Sequence, residues 1–157
     1  MQIEVAKEIH YEILNQLFKE LDHYHFLLHP ERVNHYDQAA RTAEQLNSYI
    51  VGEDKVLFIA KLNDEYVGLI NLKIEVVEGS YLNVSRKFCL IDNIYVRESF
   101  RNSGVATCLV NEAKKWSLAR GVNKIELQVF NFNVNAVKFY ESMGFNPFST
   151  KMELAID

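Results

Sequence analysis

The sequence predicts a mixed α/β domain, one sheet with helices packed against it, and three observations carry that prediction. Apolar residues recur at three- and four-residue steps from Ile9 to Leu21 and again from Val105 to Trp116, the period of a helix buried on one side. Between them, β-rich stretches broken by short polar turns fill residues 56–96, the pattern of a meander. The last of these stretches runs through a short polar loop directly into the second periodic helix.

Taken in order, residues 3–6 read as a short strand. A helix begins near Lys7 and carries Ile9, Ile13, Leu14, Leu17, Phe18 and Leu21 on one side. It stops near His29, because Pro30 disfavours helical backbone in the residue before it. A second helix spans residues 37–49, with Ala39, Ala40, Ala43, Leu46 and Ile50 on one side, and ends at Gly52-Glu53-Asp54. Strands follow at residues 56–62, 66–77 and 87–96, separated by Asn63-Asp64 and by Glu78-Gly79-Ser80. The next helix keeps Val105, Leu109, Ala113 and Trp116 together and should end at Gly121, a suitable C-cap. Residues 123–130 read as a strand with Ile125, Leu127 and Val129 alternating inward. Asn133 reads as the N-cap of a short helix closed by Gly144. From Phe145 a final strand or strand pair continues through Met152, Leu154 and Ile156.

The 157 residues are expected to form one domain, residues 1–157, that buries roughly two thirds of its unfolded surface. A net charge of −4 argues against a nucleic-acid partner and requires local donors for any anionic ligand. The N-terminus lacks a signal-peptide pattern, and no apolar run approaches the ~20 residues of a membrane span. The expected protein is therefore soluble and cytoplasmic, with no membrane partner. Cys89 and Cys108 show no metal spacing and read as reduced thiols. His25 and His29 stand four apart, but no third ligand accompanies them, so no metal is expected.

The junction after residue 96 has its own chemistry. Arg101-Asn102-Ser103-Gly104-Val105-Ala106 places several unpaired amides at the positive end of a helix, and the first turn holds no Asp or Glu. Gly104 lets backbone approach an anion closely, and Arg101 adds a charged donor. Such a loop suits a phosphate.

Arg101-x-x-Gly104-x-Ala106, then Leu127-Gln128-Val129, then Asn133-Val-Asn-Ala136-Val-Lys-Phe-Tyr140-Glu-Ser-Met-Gly144-Phe145 give the chain its resemblance. In that order and on those elements they resemble the GNAT superfamily of acetyl-CoA-dependent N-acetyltransferases. The likeness in sequence covers about residues 88–146; the first half agrees in element order alone. It implies a mixed, mostly antiparallel central sheet, flanked by about four helices and splayed between the fourth and fifth strands. The cofactor arm would lie in that splay, paired with the backbone of Asn93, Ile94, Tyr95 and Val96. The amides of Asn102, Ser103, Gly104, Val105 and Ala106, with Arg101, would hold the pyrophosphate of acetyl-CoA. Asn133 would cap its helix and contact the arm.

The implied activity moves acetyl from acetyl-CoA to a primary amine by direct attack in a ternary complex. Tyr140 is the expected proton donor to the leaving thiolate, and it also touches the cofactor. A lysine-like amine of pKa about 10.4 is almost wholly protonated at pH 7, so a base is useful. Asp92, a carboxylate in an otherwise apolar strand, is the first candidate and Glu126 the second. The first two helices and their connection would shape the acceptor pocket, which nominates Tyr24, His25, Phe26, His29, Glu31 and Tyr36. The acceptor is a small-molecule amine or a protein or peptide amine. Relatives often dimerise, so a homodimer stays open. The alternative is a non-catalytic acyl-CoA sensor on the same fold, and a longer acyl group is a third option.

Overall fold

In the computed structural model, residues 1–34 and 41–156 are described. They form one five-stranded sheet in the order β1-β2-β3-β4-β5, where β1 is Gln2–Val5, β2 Lys55–Leu62, β3 Glu65–Val77, β4 Arg86–Val96 and β5 Ile125–Leu127. The first four strands pair antiparallel, and β4 with β5 is parallel. Four α-helices accompany the sheet among the described residues: α1 (Tyr11–Leu28), α2 (Ala43–Ile50), α3 (Val105–Leu118) and α4 (Val134–Ser142). The mixed, mostly antiparallel sheet and the four helices match the expected class.

Alternation along β2 sorts the core into two layers. Val56, Phe58 and Ala60 face Val105, Leu109, Ala113 and Trp116 of α3, while Leu57 and Ile59 face Leu14, Leu17, Phe18 and Leu21 of α1. On β3, Ile70 and Leu72 join the α3 layer and Leu69 the α1 layer, so the sheet is buried on both faces. At Gly68 the strands run so close that a Cβ would meet the Tyr95 carbonyl oxygen at 2.5 Å.

Contacts near Arg97 and Arg41 set the helices over the sheet. Arg97, just past β4, pairs with Glu20 of α1 at 3.0 Å and with Glu65 of β3 at 2.8 Å, and the Tyr95 hydroxyl also donates to Glu20. Tyr24 lies one turn beyond Glu20 on the same face of α1, so this anchor aims it at the end of β4. Arg41 donates to Asp22 at 2.9 Å and its N–H to the Asn15 side chain at 2.9 Å. Thr42 then opens α2 with a reciprocal cap, accepting from the Gln45 N–H while its own N–H donates to the Gln45 side chain.

Three expectations change. Ile9 is 85% exposed, because residues 8–10 form a 3₁₀ turn whose phase differs from that of the following α-helix. The fifth strand is three residues long, since its ladder with β4 ends at the Ile91–Leu127 pair. No strand follows Phe145 among the described residues; Met152, Leu154 and Ile156 are 88%, 85% and 90% exposed. Pro147 has no N–H for a ladder at the start of that segment. Of the expected second helix, residues 37–40 lie outside the described residues, as does Tyr36, while Arg41 and Thr42 are not helical because the Thr42 cap starts α2 at Ala43.

Candidate active site

A bulge in β4 decides the geometry. Asn71 of β3 pairs with Asn93 and Leu72 with Ile91, so Asp92 is an extra residue without a partner across the ladder. Its side chain projects to the α1/α2 side. One residue earlier, Ile91 makes the last pairing with β5. Beyond it, Asn93, Ile94, Tyr95 and Val96 remain paired with β3 on one side and face no strand on the other. That open edge is a row of backbone donors and acceptors.

The edge walls a cleft of about 990 Å³ lined by Asp92, Asn93, Arg101, Gly104, Asn133 and Tyr140, among others. A larger hollow of about 1480 Å³ lies across β5, between α4 and the C-terminal segment. The bulge and the anion loop open into the smaller cleft, which is therefore the candidate site.

At the end of the open edge, Asn102 (φ 62°) and Gly104 (φ 84°) turn the chain through left-handed conformations into α3. The N–H of Cys108 reaches the Gly104 carbonyl at 3.0 Å, and the amides ahead of it have no carbonyl a turn earlier to meet. A Cβ built on Gly104 would find nothing within 4 Å, so the space before the helix is open. Arg101 Nε donates to the Val96 carbonyl at 3.2 Å, tying the loop to the strand edge. These features place backbone donors, a guanidinium and open space together at the end of a free strand edge.

Asn133 caps α4, its Oδ1 accepting the Ala136 N–H at 3.4 Å and the Tyr24 hydroxyl at the same distance. Among the described residues no side chain accepts from its Nδ2. Tyr140, seven residues on, is half-buried, with its ring edge-on to Phe145 at 5.6 Å. No side chain among the described residues hydrogen-bonds its hydroxyl. Burial pushes this phenol up to about 12, so it keeps its proton across the physiological range.

Asp92 is exposed, yet two donors converge on its Oδ2: the Tyr49 hydroxyl and Asn71 Nδ2, the latter at 3.4 Å. Burial, then the carboxylate itself, raises the Tyr49 phenol above its usual range. Asn71 is 2% exposed and its Oδ1 has no partner, a buried defect that costs on the order of 1–3 kcal/mol. Neither Tyr49 nor Asn71 stands out in the sequence, because nothing local marks a side chain that acts across strands.

The six acceptor candidates scatter. Tyr24 and His25 line the cleft, where burial lowers the His25 imidazole despite the opposing Asp22 carboxylate. Tyr24 serves the anion loop, with the Arg101 guanidinium 4.5 Å above its ring. Phe26 stacks on His23, and His29 turns to Glu31 and to Phe132 beside the larger hollow. Glu126 is held by Arg86 at 2.6 Å. Cys89 is buried in the core, and burial pushes its thiol up to about 11. Among the described residues, no three His, Cys, Asp or Glu side chains gather as a metal site, and no helix is long and apolar enough to cross a membrane.

The chain is similar to L-ornithine N5-acetyltransferase NATA1 of Arabidopsis thaliana, 39% identical over 34% of this chain and 24% of that one. It spans 24% to 48% of the length of three curated relatives that it matches. Its fold overlays a mutant of the BH1408 protein of Bacillus halodurans over 99% of both chains, at a TM-score of 0.92 and 20% identity. It also overlays the aminoglycoside N-acetyltransferase AAC(6')-Iy, solved with CoA, over 99% of both chains at 0.72 and 18%. The family model described as "Acetyltransferase (GNAT) family" matches residues 14–145, so the bulged strand, the anion loop and the Asn133–Tyr140 helix all fall within it, and the chain belongs to that family.

Proposed function

We propose that this chain is an N-acetyltransferase that moves acetyl from acetyl-CoA to the primary amine of a small cationic molecule. The observation that carries the reading is the end of the β4–β5 ladder at Ile91–Leu127 beside the Asp92 bulge. There one cleft gathers an open strand edge, an anion loop, a carboxylate and a protonated phenol. The names of the relatives support an amine acceptor, since ornithine and aminoglycosides both carry several amines.

When bound, acetyl-CoA supplies an activated acetyl thioester. The residues positioned for it are Asn93 to Val96 along the arm, Arg101 to Ala106 at the pyrophosphate and Asn133 Nδ2 at an arm carbonyl. Asp92 would first take a proton from the ammonium, directly or through water; the neutral amine would then form the C–N bond as the C–S bond breaks, its second proton passing to solvent. Tyr140 donates to the departing sulfur. At about 12 its hydroxyl is a weaker acid than a thiol near 8.5. It therefore contributes a hydrogen bond first, and transfer follows as the cleft strips water from the thiolate and raises its proton affinity. Direct attack suits Cys89: a core thiol raised to about 11 is no nucleophile.

Thiol release from acetyl-CoA with an amine acceptor tests the assignment. Tyr140→Phe should lower kcat at least about tenfold with acetyl-CoA affinity unchanged. Equal activity in that variant removes Tyr140 from the mechanism.

A further inference from the structure

Asp92 has the environment of a prepared anchor. Both of its donors, the Tyr49 hydroxyl and Asn71 Nδ2, address the same oxygen, Oδ2, and leave Oδ1 open. The cations around it stop short of contact: Lys73 feels the Asp92 charge but pairs with Glu75 at 2.8 Å, Lys55 lies over the Tyr49 ring at 5.4 Å, and Arg41 pairs with Asp22 at 2.9 Å. Among the described residues no cation pairs with Asp92. An exposed carboxylate fixed by two donors, with no cation at ion-pair distance, is complementary to an ammonium arriving from outside.

Asn71 adds an independent observation. It sits in the middle of β3 at 2% exposure, flanked along the strand by Ile70 and Leu72, with Oδ1 unpartnered. An apolar residue of that volume would fill the same place without leaving a polar atom unpaired. Its amide is explained by the group it serves: Nδ2 donates to Asp92 and also lies within hydrogen-bond reach of the Tyr49 hydroxyl. Tyr49 likewise projects from α2 one turn beyond the buried Leu46, at the point where the bulge turns Asp92 toward it.

We propose that Tyr49 and Asn71 are positioning residues of the acceptor site, fixing the Asp92 carboxylate at the β4 bulge so that Oδ1 receives the ammonium of a cationic amine. This rests on the transferase reading above and names the groups that prepare its acceptor side. Substrates with a compact primary ammonium fit such an anchor; amides and hydroxyls lack the charge that it complements.

The test measures kcat and KM with ornithine, spermidine and kanamycin as acceptors in Tyr49→Phe, Asn71→Leu, Asp92→Asn and the two doubles with Asp92→Asn. Each positioning variant should lower kcat/KM for the amine about tenfold, with KM for acetyl-CoA changed less than about twofold. The doubles should be no worse than Asp92→Asn alone, because the positioning residues act only through that carboxylate. Asn71→Leu should melt at the same temperature as the wild type or higher while losing activity. Wild-type turnover in both single variants, or losses that simply multiply in the doubles, overturns the proposal. If the wild type turns over none of the three amines, the transferase reading falls, and spermidine binding by calorimetry decides the inference by itself. Affinity about tenfold weaker in Tyr49→Phe and Asp92→Asn supports it, and unchanged affinity sinks it.

Discussion

The Arg101 guanidinium lies 4.5 Å over the ring of Tyr24, and the hydroxyl of that ring donates to the Asn133 side chain at 3.4 Å. One residue of α1 thus touches both the loop before α3 and the cap of α4. The contact holds Arg101 near the Val96 carbonyl, where a pyrophosphate would meet it already ordered. Tyr24→Leu should weaken acetyl-CoA binding about two- to fivefold, the worth of an exposed cation–π contact. Tyr24→Phe keeps the ring and should lose less. Calorimetric titration of both variants checks the ranking, and equal losses would assign the effect to the hydroxyl.

Gly104 separates backbone strain from ligand exclusion. A methyl group there meets open space, so Gly104→Ala should cost only the left-handed backbone, roughly 1 kcal/mol. Gly104→Glu adds a carboxylate to the anion site and should abolish binding of CoA while the fold persists. Circular dichroism with calorimetry reads both quantities. Undiminished binding in the Glu variant would remove the phosphate site from the loop.

Acids raised by burial, Cys89, Tyr95 and Tyr140 with Tyr49 in the same direction, set the alkaline limit of stability. Burial raises Cys89 from 9.0 to about 11, and Tyr95 and Tyr140 from 10.0 to about 12. Above pH 9 the unfolded chain releases these protons before the folded one does, so the folded state binds more protons and stability falls with pH. The Tm should lose nothing to these groups below pH 9 and drop progressively between pH 9 and 12. Thermal melts across that window check the slope, and a Tm flat through pH 12 contradicts it.

The same burial predicts a pH profile. Tyr140 keeps its proton to about pH 12, so kcat should show no alkaline limb from this residue below pH 11. A limb near pH 9 that vanishes in Tyr140→Phe would place its ionisation lower than its burial implies.

What the sequence discloses follows chain distance. Gly121 and Gly144 take positive φ where the helical patterns stop, and Asn133 caps α4 through a bond three residues away. These are local signals, and so is the strand–loop–helix junction at Arg101. The cluster around Asp92 is not local: Tyr49 and Asp92 are 43 residues apart, Asn71 and Asp92 are 21 apart, and their meeting depends on a bulge without sequence signature. The C-terminal alternation misled for the opposite reason. Met152, Leu154 and Ile156 have the period of a strand, but a period specifies a face and supplies no neighbour to pair with.

Amine-dependent release of thiol from acetyl-CoA is the measurement closest to the central claim. With ornithine, spermidine or kanamycin as acceptor, the wild type should release thiol at a rate that saturates in the amine and falls at least about tenfold in Tyr140→Phe. Tight binding of acetyl-CoA with no amine-dependent release from any of them would contradict the transferase reading and leave a binding domain in its place.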